Sequence, residues 1–242
     1  MSLFGKLVPL ILVIGLQAWI AVAQDSNGCP NIVKRAGWSA SKSSNVTYQI
    51  KPVQHVVIHH TATQTCNEMP VCKEIVKSIQ DQHQRQNKWS DIGYNFLIAN
   101  GGNVYEGIGW HRVGAHTRGY NSKSIGIAFI GEFTKDLPSA KALRAASKLL
   151  QCGVNMGELD ANYLLYGAKQ LSATASPGKA LYNEIREWDH FDPLTIFYTE
   201  QNSFRRLPVQ GKHCTMRLGS GIISIHRLCC RQNSIKYRIL FN

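Results

Sequence analysis

The chain has 242 residues, 44% of them hydrophobic and 17% charged, which are the fractions of a globular protein with one large domain or two small ones. Its formal charge of +12 suggests an anionic partner such as nucleic acid, a membrane or a bacterial wall polymer. From Leu194 onward, however, eight basic residues face one acid, Glu200, so more than half of the excess belongs to the tail and nucleic-acid binding has only that charge in its favour.

Lys6 followed by LVPLILVIGLQAWIAVA, with small residues at Ala21 and Ala23, has the basic start, apolar centre and small-residue end of a secretory signal peptide over residues 1–23, cut before Gln24. Nothing later is long and apolar enough to cross a bilayer, so a secreted, extracellular protein with no membrane span is expected. Export makes the seven cysteines disulfide candidates, one at least unpaired. Cys66 and Cys72 are close enough to staple a loop, and Cys29 lies where a mature N-terminus needs tying down. Asn45-Val46-Thr47 is a glycosylation acceptor at Asn45.

Cys29 to Trp38 reads as an irregular arm and Ser39 to Pro52 as a polar loop. Val56 to Thr63 (VVIHHTAT) is a short β-branched run ending in two histidines, the pattern of a buried strand that delivers polar side chains to the rim of a sheet. Successive strand residues face opposite ways, so His59 and His60 cannot share one geometry. From Pro70 to Gln86, Val71, Ile75, Val76 and Ile79 recur at helical spacing. Ile92 to Ala99 and Val104 to Gly107 flank Asn100-Gly101-Gly102, a hairpin signal. Gly109 to Gly119 is a glycine-rich loop with His111 and His116, and Ser124 to Ile130 is the most apolar strand. Pro138 to Met156 is a second helix with Leu143, Ala146, Leu149 and Leu150 inward. Leu164 to Gly167 is a short strand, and at Ser176-Pro177-Gly178 serine and proline open a third helix that runs to about Trp188. Strands alternating with helices predict an α/β fold with a mixed central β-sheet and packed helices.

VVIHHTAT, WSDIGYNFLI, NVYEG, GWHRVGAHT, SIGIAFIGEF, LLQCGV and QLSATASPGKALYNEIREW, in that order, resemble the peptidoglycan recognition proteins of animals, relatives of the type 2 N-acetylmuramoyl-L-alanine amidases. The resemblance runs from Cys29 to Pro193, giving a domain over residues 24–193. It implies a secreted innate-immunity protein whose groove holds the muramyl peptide of bacterial peptidoglycan, with immune signalling proteins as further partners. It also implies disulfides Cys29 to Cys152 and Cys66 to Cys72.

In the amidase members three protein ligands hold a zinc ion whose bound water attacks the amide. The matching positions here are His59, Ala168 and Ser176. Alanine has no donor atom, and a serine hydroxyl, unlike a thiol, does not deprotonate readily. No cofactor and no hydrolysis are therefore expected, with an active zinc amidase as the alternative and a directly membrane-active cationic protein as a distant third. Tyr94 and Thr174 match residues that assist zinc-bound water in relatives and become groove walls here. The resemblance assigns ligand contact to His60, Thr61, His83, Asn87, Lys88, Trp89, Tyr94, His116, Arg118 and Asn121. Trp89 and Tyr94 offer flat faces to sugar and peptide, and Arg118 and Lys88 can meet carboxylates. Relatives read the extra carboxylate of diaminopimelate stem peptides with an arginine beside a Gly-Trp pair. This chain has Asn87-Lys88-Trp89 there, which leaves the preference open. Residues 194–242, with Cys214, Cys229 and Cys230, have no counterpart in the resemblance, although Gly221 to Leu228 alternates as a strand does.

Overall fold

A computed structural model describes residues 28–193 and the backbone of two further strands, Cys214–Leu218 and Gly221–Ile225. Residues 1–27, with the expected signal peptide, and the rest of the tail lie outside the described residues.

Six strands form one mixed sheet: β1 (Ile32–Val33), β2 (Val53–His60), β3 (Phe96–Ile98), β4 (Val104–Glu106), β5 (Ser124–Phe129) and β6 (Leu159–Gly167), in the order β1-β4-β3-β5-β2-β6. Strand β2 runs parallel to β5 and β6, and β4 is antiparallel to β3 through the Asn100–Gly102 turn. Val56, Val57 and Ile58 are wholly buried because both faces of the sheet are covered, which is why this strand reads as a continuous apolar run instead of an alternation.

Helix α1 (Met69–Arg85) covers one face through Cys72, Ile75, Val76 and Ile79 against Leu97, Ala99, Ala128 and Ile130. Helices α2 (Ala140–Asn155) and α3 (Lys179–Ile185) cover the other, packing Ala146, Leu149, Leu150, Leu181 and Ile185 on Val56, Ile58, Ile125, Ile127 and Phe129. The mixed sheet with packed helices is the expected fold class. Ser139 caps α2 by accepting from the Ala142 amide, satisfying one of the free donors of a helix start. Disulfides Cys29–Cys152 and Cys66–Cys72 are both present, with Cα separations of 4.8 and 5.4 Å. They tie the N-terminal arm to the end of α2 and the loop after β2 to the start of α1.

Three expected elements differ. Val71 is exposed, and Cys72 takes the inward position because the disulfide draws it there. Strand β6 begins five residues earlier than its apolar stretch, since Val53 already pairs with Leu159. Helix α3 is only seven residues long and is not capped by Ser176: Gly178 occupies its N-cap, and the Ser176 hydroxyl is engaged by the amide of His60. In the tail, the alternation at Gly221–Ile225 does form a strand, antiparallel to Cys214–Leu218 in a hairpin that forms a separate unit.

Candidate functional site

The C-terminal ends of β2 and β5, the loop 109–121 and the end of α1 bring most of the expected residues together. Strand alternation sends the two histidines apart. His59 turns to the loop side, its ring 5.4 Å from Tyr94 and 5.3 Å from His116. His60 turns the other way, where its Nδ1 accepts from the Phe133 amide at 3.2 Å. An Nδ1 that accepts carries no proton, so its 4.0 Å approach to Glu132 is a polar contact and not an ion pair. Thr61 lies on that second side as well, its hydroxyl accepting from the Gly131 amide.

The floor of the first side is a three-residue chain. The Thr117 hydroxyl stands 3.2 Å from His59 Nε2 and 3.1 Å from His116 Nδ1. One hydroxyl has one proton, so it can donate to at most one imidazole and must accept from the other, which couples the tautomers of the two rings. Asn121 holds this corner by accepting from the amides of His116 and Thr117 at 2.9 and 2.7 Å. The His116 ring lies on the backbone of β5 at Gly126, where an added Cβ would come within 2.4 Å of the ring. His116 Nε2 is buried and has no partner. Sequence reasoning assigned no role to Thr117 or Gly126, although a hydroxyl adjacent to a histidine and a glycine inside the most apolar strand were visible.

The wall is built at the end of α1. The His83 ring lies 4.7 Å from Trp89 and 5.7 Å from Tyr94, and its Nδ1 accepts from the Gly93 amide. Asn87 and Trp89 donate their amides back to the carbonyls of Gln82 and His83. Between them Lys88 takes the left-handed conformation, φ 60°, which lets the chain reverse and lay the indole over the imidazole. Trp89 is 38% exposed; packing in the core is excluded and its face is open to a ligand. Lys88 and Arg118 are exposed, and neither forms an ion pair among the described residues.

Burial keeps the site neutral. It pushes His83 and His116 down to about 4, and burial followed by the neighbouring imidazoles of His116 and His60 holds His59 well below its ordinary value. His60 is also lowered, chiefly by burial, and the Tyr94 phenol is pushed up to about 12 by burial. At neutral pH the floor is thus uncharged and the cations stand at the rim.

Of the remaining positions, Ala168 opens a 3-10 turn directly after Gly167, which pairs with Ile58, and its methyl is wholly buried. Ser176 is buried, its Oγ 3.0 Å from the His60 amide. Thr174 is exposed, and its hydroxyl accepts from the Ser176 amide instead of facing the imidazoles. Among the described residues no group of three or more His, Cys, Asp or Glu side chains converges as a metal set would.

A mixed sheet of this order with clustered histidines at its rim defines an amidase-like α/β domain, and residues 49–179 match the family model described as N-acetylmuramoyl-L-alanine amidase. The chain is 45% identical to peptidoglycan-recognition protein 2 of Holotrichia diomphalia, over 77% of its own length and 97% of the relative's. Its fold matches the structure of Drosophila PGRP-SA with a TM-score of 0.67 and 50% identity, covering 67% of this chain and 94% of that one. It also matches peptidoglycan recognition protein LE, solved in complex with tracheal cytotoxin, a monomeric diaminopimelic acid-type peptidoglycan. That TM-score is 0.66, with 43% identity, 66% of this chain and 95% of the other being covered. The chain belongs to the peptidoglycan-recognition protein family.

Proposed function

We propose that this is a secreted pattern-recognition protein of innate immunity that binds bacterial muramyl peptide in the groove between Trp89, Tyr94 and His116 and does not cleave it. The relatives solved with peptidoglycan fragments support the ligand class. The aromatic wall and cationic rim suit a glycan bearing an acidic peptide. The signal-peptide character of residues 1–23 supports export, and exposed Asn45 is then a glycan acceptor. Immune signalling proteins are the further partners this reading implies.

The observation that carries the absence of cleavage is how the three ligand positions are occupied. The His59 Nε2 is bonded to Thr117, position 168 offers a buried methyl, and the Ser176 hydroxyl already accepts the His60 amide. Such residues do not fit zinc, which needs three strong donors and an open fourth place. Without the metal, Tyr94 has no water to assist, and its raised pKa makes it a hydrogen-bonding wall instead of a base. Incubating the purified chain with defined muramyl peptides, scoring retention and cleavage in one tube, tests this. Retention with intact peptide and no stoichiometric zinc is expected. The match to the amidase model favours the alternative, an active amidase, which one zinc per chain with chelator-sensitive release of stem peptide would establish.

A further inference from the structure

An apolar row stands out on the extended arm that precedes β2. Tyr48 and Ile50, 76 and 84% exposed, are the most exposed large apolar side chains among the described residues, and Val46 joins them at 40%. Gln49 between them is buried. The alternation has a cause, because the segment lies antiparallel to residues 111–113 and bridges them at Tyr48 and Arg112. The Val113 amide donates to the Thr47 carbonyl, and the Gln49 amide to that of His111, both at 2.9 Å. Residues 47 and 49 thus turn their backbone groups inward. In such a ladder those of Tyr48 and Ile50 point the other way, and among the described residues nothing meets them. The Val46 amide donates only to the neighbouring Asn45 side chain. Free edges are ordinarily guarded by a charge within the strand. Here no charged residue lies between Lys42 and Lys51, in a chain of net charge +12.

Any extended peptide could satisfy free backbone groups of this kind, but the residue pattern selects one. Antiparallel pairing with a second copy about a two-fold axis through Tyr48 sets Tyr48 opposite its own copy and Val46 opposite Ile50 at both ends. Every facing pair is then apolar, β-branched on β-branched and ring on ring. The same register sets Lys51 opposite Asn45 and Lys42 opposite Gln54, so no cation meets a cation. We propose that the edge 46–50 is a homodimer interface, in which two copies of the chain join as the central strands of a four-stranded antiparallel ribbon. Tyr48 exchanges both backbone bonds with its copy, and each Val46–Ile50 pair adds two more once the Val46 amide leaves Asn45. The three side chains expose on the order of 400 Å² per protomer, so a pair buries at most about 800 Å² of side chain, below the roughly 1,200 Å² of a stable complex. The dimer is accordingly weak, half-formed at a concentration on the order of 0.1 mM. Because the edge hangs from residues 111–113, those segments of the two copies lie about 15 Å apart, three strand spacings. A repeating polymer then meets two grooves on one assembly; that consequence rests on the proposed function, and the contact itself does not.

Sedimentation velocity of the full chain from about 5 to about 500 µM spans that range, and the basic tail contributes equally in every arm. The wild type is compared with Tyr48→Lys, which sets two ammonium groups on the axis, and with the doubles V46E/I50K and V46E/I50E. Tyr48→Lys should weaken self-association at least tenfold. Both doubles remove the same apolar groups, but in this register the first forms two Glu–Lys pairs and the second two Glu–Glu pairs. V46E/I50K should therefore dimerise within about threefold of the wild type, and V46E/I50E should stay monomeric. General charge repulsion predicts the opposite order, since V46E/I50E brings the net charge closer to zero. All four proteins should share one melting temperature and one affinity for a monomeric muramyl peptide. A wild type that is monomeric throughout would overturn the proposal, as would a Tyr48→Lys that associates as the wild type does, or a V46E/I50E that dimerises at least as well as V46E/I50K. Tyr48-dependent capture of phosphatidylcholine vesicles by a chain that stays monomeric would replace the second copy with a membrane. Self-association in this register by a chain that binds no muramyl peptide would sink the groove reading and leave the interface standing.

Discussion

The floor of the groove and its wall are built to opposite specifications. At the floor, His59, Thr117 and His116 are linked ring to hydroxyl to ring, shielded and neutral. At the wall, Trp89 and Lys88 stand on a turn with solvent on one side. The floor is closed on itself by its own hydrogen bonds, and a change there should be felt through the fold. The wall holds the groups that can meet a ligand, so removing a side chain there should be felt chiefly in binding. The comparison fails if the two regions respond alike.

The largest effect is expected from Gly126→Ala. The new methyl would meet His116 ring atoms at 2.4 Å, so the ring must leave the strand and release Thr117. Overpacking of this kind costs about 1–3 kcal/mol, and loss of the floor should remove muramyl-peptide binding with it. Urea unfolding and a ligand titration on one preparation would show both losses; normal stability and binding would mean that the ring position is dispensable.

Trp89→Ala should give the opposite split. The indole is a partly exposed aromatic anchor, and truncating such residues costs about 2 kcal/mol of binding, roughly thirtyfold in Kd. The melting temperature should move little, because the core does not include it. A large fall in melting temperature would make Trp89 a packing residue.

How far the sequence discloses these regions differs for a physical reason. The buried strand at Val56–Ile58, the α1 periodicity and the Asn-Gly hairpin are local signals, and each is found where its pattern lies. Tyr94, His83 and Trp89 enter through a resemblance, and the structure joins them by ring contacts between residues up to eleven positions apart. Thr117 is not legible in the same way. Its role arises because residues 59 and 116, nearly sixty positions apart, arrive on either side of one hydroxyl, and no period or spacing encodes that meeting. The misread start of α3 has a similar origin: Ser176 has the right type for a cap, but tertiary structure offers it the His60 amide first.

Thr117→Val keeps the shape and removes the hydroxyl, stranding two buried imidazole nitrogens at a cost of about 1–2 kcal/mol. Thr117→Ser should restore most of it. Acidification reaches one buried imidazole in each region, His116 in the floor and His83 in the wall. His83 and His116 sit at about 4 in the fold against an ordinary 6.5, so the unfolded chain binds more protons between those values. The stability they contribute is complete above about pH 6.5 and is lost as the pH falls towards 4. Melting temperatures across that window should drop in the wild type and less steeply in Trp89→Ala, which uncovers His83, and a flat wild-type profile would contradict the burial of the two rings.

The smallest effect, and the sharpest, belongs to Lys88. A left-handed lysine costs roughly 1–2 kcal/mol, while exchanging it for glycine returns about 0.4–1 kcal/mol of freedom to the unfolded chain. Lys88→Gly should therefore stabilise the fold by about 0.5–1 kcal/mol. If the exposed ammonium meets a carboxylate of the stem peptide, the same change should weaken binding by an amount typical of exposed ion pairs, about 0.2–1 kcal/mol or up to fivefold. Titrating lysine-type and diaminopimelate-type muramyl peptides against wild type, Lys88→Gly and Lys88→Ala separates the two terms, because alanine removes the charge without relieving the strain. A loss confined to the diaminopimelate ligand in both variants would assign the extra carboxylate to Lys88. An unchanged preference would leave it with only the turn that carries Trp89.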